Sequence, residues 1–217
     1  MEKVALIVAG GEGKRMNSET PKQFLLLNNL PILMHVVKKF CHFDEIIVVL
    51  PQLQFNYWHT LCDKYNFKQK HSLIEGGETR FHSVKNGLKK ITTRSIVAIH
   101  DGVRPIISTA LINHLTTNTK KGVGVIPIIP VKDSIRKVEE GGSEHIDRNN
   151  LYKTQTPQCF ISEEIKNAYA QNYSTIFTDD ACVFESNGGK ITSVLGEEKN
   201  LKITTIEDLK LAEVFMQ

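Results

Sequence analysis

Apolar residues along the chain fall into short blocks of two kinds. Residues 4–8, Glu45–Leu50 and residues 95–100 are near-continuous apolar runs. That is the pattern of strands buried on both faces. Between them the apolar spacing is helical. Pro31 suits a first helical position, and the helix should run to about Phe40 with Ile32, Leu33, Val36, Val37 and Phe40 inward. A second helix is expected over 53–65, then a short strand ending near Glu75. A third helix opens at about Thr79, with Val84, Leu88 and Ile91 inward. Strand, helix, strand, helix at this spacing predicts right-handed βαβ units and a largely parallel sheet.

The second half has a different texture. Ser108 should cap a helix to about Asn118. Residues 122–130 read as a strand with Pro127 and Pro130 at its end, so near an edge or a bend. From Lys132 to Val138 polar and apolar residues alternate, Gly141-Gly142 makes a turn, and Asp147-Arg148-Asn149-Asn150 is polar. The span 131–160 is therefore expected to be a β-arm leaving the main sheet and packing on another subunit. Ser162 should cap a helix to about Tyr173, and Thr178-Asp179-Asp180 should open another ending near Glu185. A strand over 190–195 and a short one over 200–204 follow. Thr205-x-x-Asp208 resembles a capping box for a last helix, packed down by Leu209, Leu211, Ala212 and Phe215. One α/β domain over 1–217 accommodates all of this.

Composition narrows the function classes. With 41% hydrophobic and 24% charged residues the chain reads as a soluble globular protein. A net charge of +3 is too weak for a nucleic-acid or membrane surface. The longest later apolar stretch, 123–131, is broken by Pro127 and Pro130, so no segment is expected to span a bilayer. The first apolar run is too short for a signal sequence. Cys41, Cys62, Cys159 and Cys182 are far apart. They read as reduced thiols of a cytoplasmic protein, without a metal site or disulfide framework.

The candidate chemistry begins where the first strand ends. Gly10-Gly11-Glu12-Gly13-Lys14-Arg15-Met16 is followed by Pro21-Lys22-Gln23-Phe24. Glycines let main-chain N–H groups turn together towards an anion. Lys14, Arg15 and Lys22 add positive charge at the same strand end. No Walker A string occurs, and Met16 stands where a dinucleotide fingerprint needs its third glycine. Pro21 disfavours helix at Thr20, so a longer irregular loop is expected. A plain surface turn would carry the glycines alone, but the strand in front and three cations behind point to a polyphosphate.

Other positions stay two-sided. Gly76-Gly77-Glu78-Thr79 can present a helix N-terminus to an anion or base edge, or be an ordinary turn with a threonine cap. Asp101, just past a parallel strand, can meet Mg²⁺ or a ribose hydroxyl, or simply close a turn or pair with Arg104. Lys202 can reach an anion or snorkel to solvent. Arg148, on the expected arm, is by default solvated.

Several strings taken together resemble the 2-C-methyl-D-erythritol 4-phosphate cytidylyltransferase family. They are Ala9-Gly10-Gly11-x-Gly13-x-Arg15-Met16, Pro21-Lys22-Gln23-Phe24, Gly76-Gly77-x-x-Arg80-x-x-Ser83-Val84 and His100-Asp101-x-x-Arg104-Pro105. Val131-x-Asp133-Ser134-Ile135, Arg148-x-x-Leu151, Gln155-Thr156-Pro157-Gln158-x-Phe160, Thr178-Asp179 and Asn200-x-Lys202-Ile203-Thr204 continue in order to the end of the chain. The resemblance implies a Rossmann-like three-layer sandwich with a mostly parallel sheet and a protruding β-arm. It implies transfer of CMP from CTP to the polyol phosphate, with Mg²⁺ bridging the triphosphate and pyrophosphate released. Ala9, Gly10, Gly11 and Gly13 would wrap the triphosphate. Gly77, Glu78 and Ser83 would read the cytosine and ribose, with Asp101 and Gly102 on the ribose and metal side. Arg15, Lys22 and Lys202 would surround the α-phosphorus. Ser134, Arg148 and Thr156 would grip the acceptor, Arg148 from the partner's arm in a homodimer.

Three departures from the family pattern stand out. Glu78 stands for Asp, Gly102-Val103 for Ala-Ala, and Ser134 for Thr. Ribitol 5-phosphate cytidylyltransferase is the nearest rival, and the Asp147-Arg148-x-x-Leu151 string favours methylerythritol phosphate. A nicotinamide-dependent oxidoreductase is disfavoured by Met16 and by Pro51 after the second strand. A non-catalytic nucleotide sensor would not need Arg15, Lys22 and Lys202 together.

Overall fold

The computed structural model describes residues 1–11 and 20–217. Gly13 and Arg15, expected in the triphosphate loop, therefore lie outside the described residues, as do Lys14 and Met16. Strand β1 (Glu2–Val8) leads, followed by a small hairpin of β2 (Leu26–Leu27) and β3 (Leu30–Pro31) and helix α1 (Ile32–Lys39). Pro31, the expected first helical residue, is the N-cap of α1, so the helix starts one place later. Next come β4 (Glu45–Leu50), α2 (Phe55–Lys64), β5 (Ser72–Glu75), α3 (Arg80–Lys90), β6 (Ser95–Asp101) and α4 (Thr109–Asn118). Strand β7 (Val123–Pro130) precedes an exposed hairpin of β8 (Ile135–Glu139) and β9 (Gly142–Ile146). The chain closes with β10 (Tyr152–Thr154), β11 (Gln158–Ile161), α5 (Ser162–Ala168), α6 (Asp180–Ser186), β12 (Lys190–Leu195) and α7 (Ile206–Phe215).

The main sheet runs β5-β4-β1-β6-β11-β7, with β12 on the far side of β7 and β10 continuing beside it. Strand β1 pairs in parallel with β4 and β6, Val4 opposite Glu45 and Val97. Strands β10 and β11 run against their neighbours, and β12 is parallel to β7. The two-residue side-chain period divides β1 between two cores. Ala5 and Ile7 pack with α1, α2 and α4 on one face, while Val4 and Leu6 pack with α3, α5 and α6 on the other. Covering both faces makes the three-layer, mostly parallel α/β sandwich. Each fully buried Leu or Ile of the central strands contributes roughly 1.5–3 kcal/mol.

Several expectations need correction. Strand β7 is not an edge: β12 lies along one side and β10 and β11 along the other. The bend is instead in its partner, which breaks at residues 155–157 opposite Pro127, where Gln155 N–H donates to the Pro127 carbonyl. A proline has no N–H for a ladder on that side, so the interruption costs no hydrogen bond. The arm is shorter than 131–160. Only β8 and β9 form a separate two-stranded sheet, while β10 and β11 sit within the main sheet. Helix α5 stops at Ala168 instead of about Tyr173, and Ser162 does not cap it. Its hydroxyl accepts from Ser95 N–H and donates to the Thr93 carbonyl, tying α5 to β6. Residues 200–204 form no strand; a backbone bond, Ile203 N–H to the Val103 carbonyl, helps strap this segment down.

The capping box of Thr205 and Asp208 forms as its spacing predicts. Helix α7 is held by buried Ala212 and partly packed Leu209, whereas Leu211 and Phe215 are exposed rather than packed inward. The second helix differs at its start: Gln52–Gln54 is a short 3₁₀ turn before α2, and Leu53 is exposed. Among the described residues no helix is long and apolar enough to cross a membrane. All four cysteines are free.

Candidate active site

Parallel α/β sheets open a crevice at the carboxyl ends of their strands. Here the ends of β1, β5 and β6, with the Lys22 turn and the Asn200–Thr204 strap, enclose a cavity of about 810 Å³. Ala9, Gly10 and Gly11 form one wall, and Gly77, Glu78 and Ser83 another. Lys22, Arg80, Asp101 and Lys202 also line it. Residues from both ends of the chain thus meet in one space.

Each element is fixed by a local cause. Gly102 N–H donates to the Val8 carbonyl at 2.8 Å. A Cβ there would come within 2.6 Å of the Ala9 Cβ, so glycine lets the β6 turn lie on the end of β1. A Cβ on Gly77 would stand 2.4 Å from the His82 Cβ, which closes the turn against α3. Thr79 caps α3 by accepting from His82 N–H, and the Ser83 hydroxyl accepts from Gly77 N–H at 3.0 Å. The threonine cap forms, and the turn it follows brings Gly77 to the cavity wall.

Lys22 sits on a 3₁₀ turn anchored by the next two residues. Phe24 is buried edge-on to Tyr57 and stacked with Trp58. Gln23 is buried and donates from Nε2 to Gln54 Oε1 at 2.7 Å. The lysine stem then lies over Gly11, Cε being 3.4 Å from where a Cβ would stand. Lys202 is set by its neighbours in the strap. Arg104 Nη1 donates to the Asn200 carbonyl at 2.7 Å, and Ile203 is fully buried.

Asp101 is the electrostatic centre. Its Oδ2 is 3.1 Å from both Arg104 Nε and Lys202 Nζ, and its Oδ1 is 3.6 Å from Arg80 Nε. Burial alone would push the carboxyl up, but Arg80, Lys202 and Arg104 hold it well below the usual carboxylate range. This crowding does not fit the expected metal role. A divalent cation on Asp101 would have to displace two or three positive groups, and the described residues contain no cluster of three His, Cys, Asp or Glu side chains.

Behind Asp101 lies a buried polar layer. Thr156 Oγ1 accepts from Asp101 N–H at 3.1 Å and faces His100 Nδ1 at 3.0 Å. His100 Nε2 is 3.0 Å from the Arg104 carbonyl. Since that carbonyl only accepts, Nε2 carries the proton; burial disfavours a second one, so the ring is neutral and Nδ1 accepts from the threonine hydroxyl. Thr156, expected to grip the acceptor, is therefore buried behind the cavity and not in its lining. Gln155 donates to the Glu197 and Asn200 carbonyls, and Asn200 Nδ2 to that of Thr156, which ties the strap to the same layer.

Burial lowers the His100 pKa from 6.5 to about 4. The unfolded chain therefore takes up this proton first as pH falls. The stability carried by neutral His100 is complete above about pH 6.5 and is lost as the pH drops towards 4, an effect of about 3 kcal/mol. Urea unfolding of the wild type and of His100→Gln, measured from pH 7 to pH 4, should show a flatter pH slope in the variant. Equal slopes would mean that His100 is not held neutral.

Ser134 and Arg148 stand apart. Both are exposed on the arm region, where Arg148 Nη1 donates to the Lys132 carbonyl, and neither lines the cavity. Conversely, Arg80 lines it without having been assigned a role from sequence. Its Nη1 and Nη2 donate to the two oxygens of Asp180 at 2.8 and 2.7 Å. The available signal was its place in the Gly76-Gly77-x-x-Arg80 string; its partner lies 100 residues on.

A doubly covered, mostly parallel sheet, with glycines and two lysines around a cavity at its strand ends, defines a nucleotide-binding α/β protein. The chain belongs to the 2-C-methyl-D-erythritol 4-phosphate cytidylyltransferase family, whose model matches residues 3–217. It is similar to the protein of that name from Bacteroides fragilis, with 46% identity over 219 residues and both chains covered completely. The protein of that name from Azobacteroides pseudotrichonymphae is also 46% identical, over 221 residues and 99% of each chain. Among solved structures, the 2-C-methyl-D-erythritol 4-phosphate cytidylyltransferase of Thermus thermophilus superposes with a TM-score of 0.82. That likeness covers 99% of this chain and 98% of the other, at 27% identity.

Proposed function

We propose that the chain transfers a cytidylyl group from CTP to 2-C-methyl-D-erythritol 4-phosphate, forming 4-diphosphocytidyl-2-C-methyl-D-erythritol and pyrophosphate. One observation carries the reading: Lys22 and Lys202 line the same cavity as Gly10, Gly11 and Gly77. Family membership over residues 3–217 supports the choice of substrates.

An acceptor phosphate oxygen attacks the α-phosphorus in line. One P–O bond forms, the bond to the β-phosphate oxygen breaks, and that electron pair leaves with pyrophosphate. The attacking group is already anionic, so no side-chain nucleophile or general base is required. The protein's work is to hold two repelling anions together and stabilise the charge on the five-coordinate phosphorus. Lys22 and Lys202, with Arg15, serve that task. Glycine N–H groups at Gly10 and Gly11 receive phosphate oxygens, and Gly77, Glu78 and Ser83 receive the base and ribose. Mg²⁺, when bound with CTP, would supply charge neutralisation at the phosphates, while Asp101 stays paired with Arg80, Arg104 and Lys202. The exposed hairpin β8–β9 supports a homodimer in which Ser134 and Arg148 meet acceptor phosphate across the subunit boundary. Four free cysteines support a reducing, cytoplasmic setting.

The test is pyrophosphate release with CTP and each polyol phosphate in turn. Turnover with 2-C-methyl-D-erythritol 4-phosphate should exceed that with ribitol 5-phosphate by at least about 10²-fold, the loss on misplacing the attacking oxygen by about 1 Å. Equal turnover, or preference for ribitol 5-phosphate, would overturn the acceptor assignment.

A further inference from the structure

Asp180 begins α6, far from the glycine loops in sequence, and is fully buried at 0% exposure. It accepts both terminal nitrogens of Arg80 and the Tyr169 hydroxyl. Its position is itself anchored. Asp179 caps α6 by accepting from Cys182 N–H, and buried Gln158 of β11 donates to Asp179 Oδ2 while accepting from Ala181 N–H. With both ends of its fork engaged, Arg80 has its Nε edge towards Asp101. Asp101 in turn holds the Lys202 amine. Charges alternate along the line Asp180, Arg80, Asp101, Lys202, running from an anchored helix start to the cavity.

We propose that Asp180, steadied by Tyr169, is a positioning residue for cytidylyl transfer that acts through Arg80 and Asp101 to set the place of the Lys202 amine. The proposal rests on the reading above, in which Lys202 serves the α-phosphate. The physical need is clear. Lys202 rides on a strap without ladder hydrogen bonds, and a lysine amine is a point charge on a flexible stem. A bidentate arginine–carboxylate pair fixes direction as well as distance. Without Asp180, the guanidinium would be free to turn onto Asp101 and compete with Lys202 for the same carboxylate. Tyr169 cannot act on the cavity directly, since it is buried against Phe81.

The test is a double-mutant cycle read in kcat and in KM for CTP, with thermal unfolding as the folding control. Asp180→Asn and the milder Tyr169→Phe should lower kcat with little change in KM. The expected loss is about 2- to 30-fold, the range for residues coupled through a network. In a Lys202→Ala background the same substitutions should change kcat by less than about twofold, because the group they position is gone. A purely structural role would lower kcat by the same factor in both backgrounds, and that result would overturn the proposal. If Asp180→Asn fails to fold, Tyr169→Phe keeps the ring and decides the matter alone. Full wild-type kcat in Lys202→Ala by itself would instead remove the functional reading beneath it.

Discussion

Lys22→Ala is expected to lower kcat by about 10²–10³ while the protein stays folded, the loss typical of removing one donor from a developing oxyanion. The structural grounds are its placement. The turn carrying it is anchored by Phe24 and Gln23, so removing the lysine stem leaves the packed residues in place. Its side chain lies over Gly11 at the cavity wall. Pyrophosphate-release kinetics and a melting curve on the same preparation check the claim. Near wild-type turnover in a folded variant would exclude Lys22 from the transition state.

Lys202→Ala should cost turnover on the same scale, about 10²–10³, for a reason that the ion pair with Asp101 makes separable from stability. The lysine side chain is 40% exposed and the Asp101 side chain 9%. A pair with one partner this exposed contributes about 0–1 kcal/mol to folding, against roughly 3–4 kcal/mol on the barrier. Arg80 and Arg104 remain beside Asp101, so its carboxylate stays ionised and paired. The variant should therefore melt close to the wild type and turn over slowly. A large fall in melting temperature with turnover intact would make Lys202 a structural residue.

What the sequence reveals follows the range of the forces involved. Strands Glu45–Leu50 and Lys190–Leu195 fall where their apolar pattern ends, since Pro51 and the Gly188-Gly189 turn punctuate them locally. The caps at Thr79, Ser108, Asp179 and Thr205 are likewise local, each accepting from a backbone N–H three residues on. Errors arise where a distant partner decides. The 200–204 strap has strand-like alternation, yet no neighbour offers it a ladder. Ser162 looks like a cap but serves Ser95, and 152–161 looks like arm, but β10 is drawn onto β7 and β11 between β6 and β7.

The candidate site divides in the same way. Glycine pairs, Lys22, Asp101 and Lys202 are conspicuous in the chain, because each breaks the pattern of the strand or loop carrying it. They share one cavity. Three features are silent in sequence: the inward turn of Thr156, the neutral His100 beneath Asp101, and the Asp180–Arg80 pair. Each depends on partners roughly 50 to 100 residues apart.

The most direct measurement is a crystal structure with CTP bound. Cations from both ends of the chain should contact the same triphosphate over Gly10 and Gly11, with Lys22 Nζ and Lys202 Nζ each about 3 Å from a phosphate oxygen. A nucleotide seated elsewhere, or one whose phosphates touch neither lysine, would contradict the account.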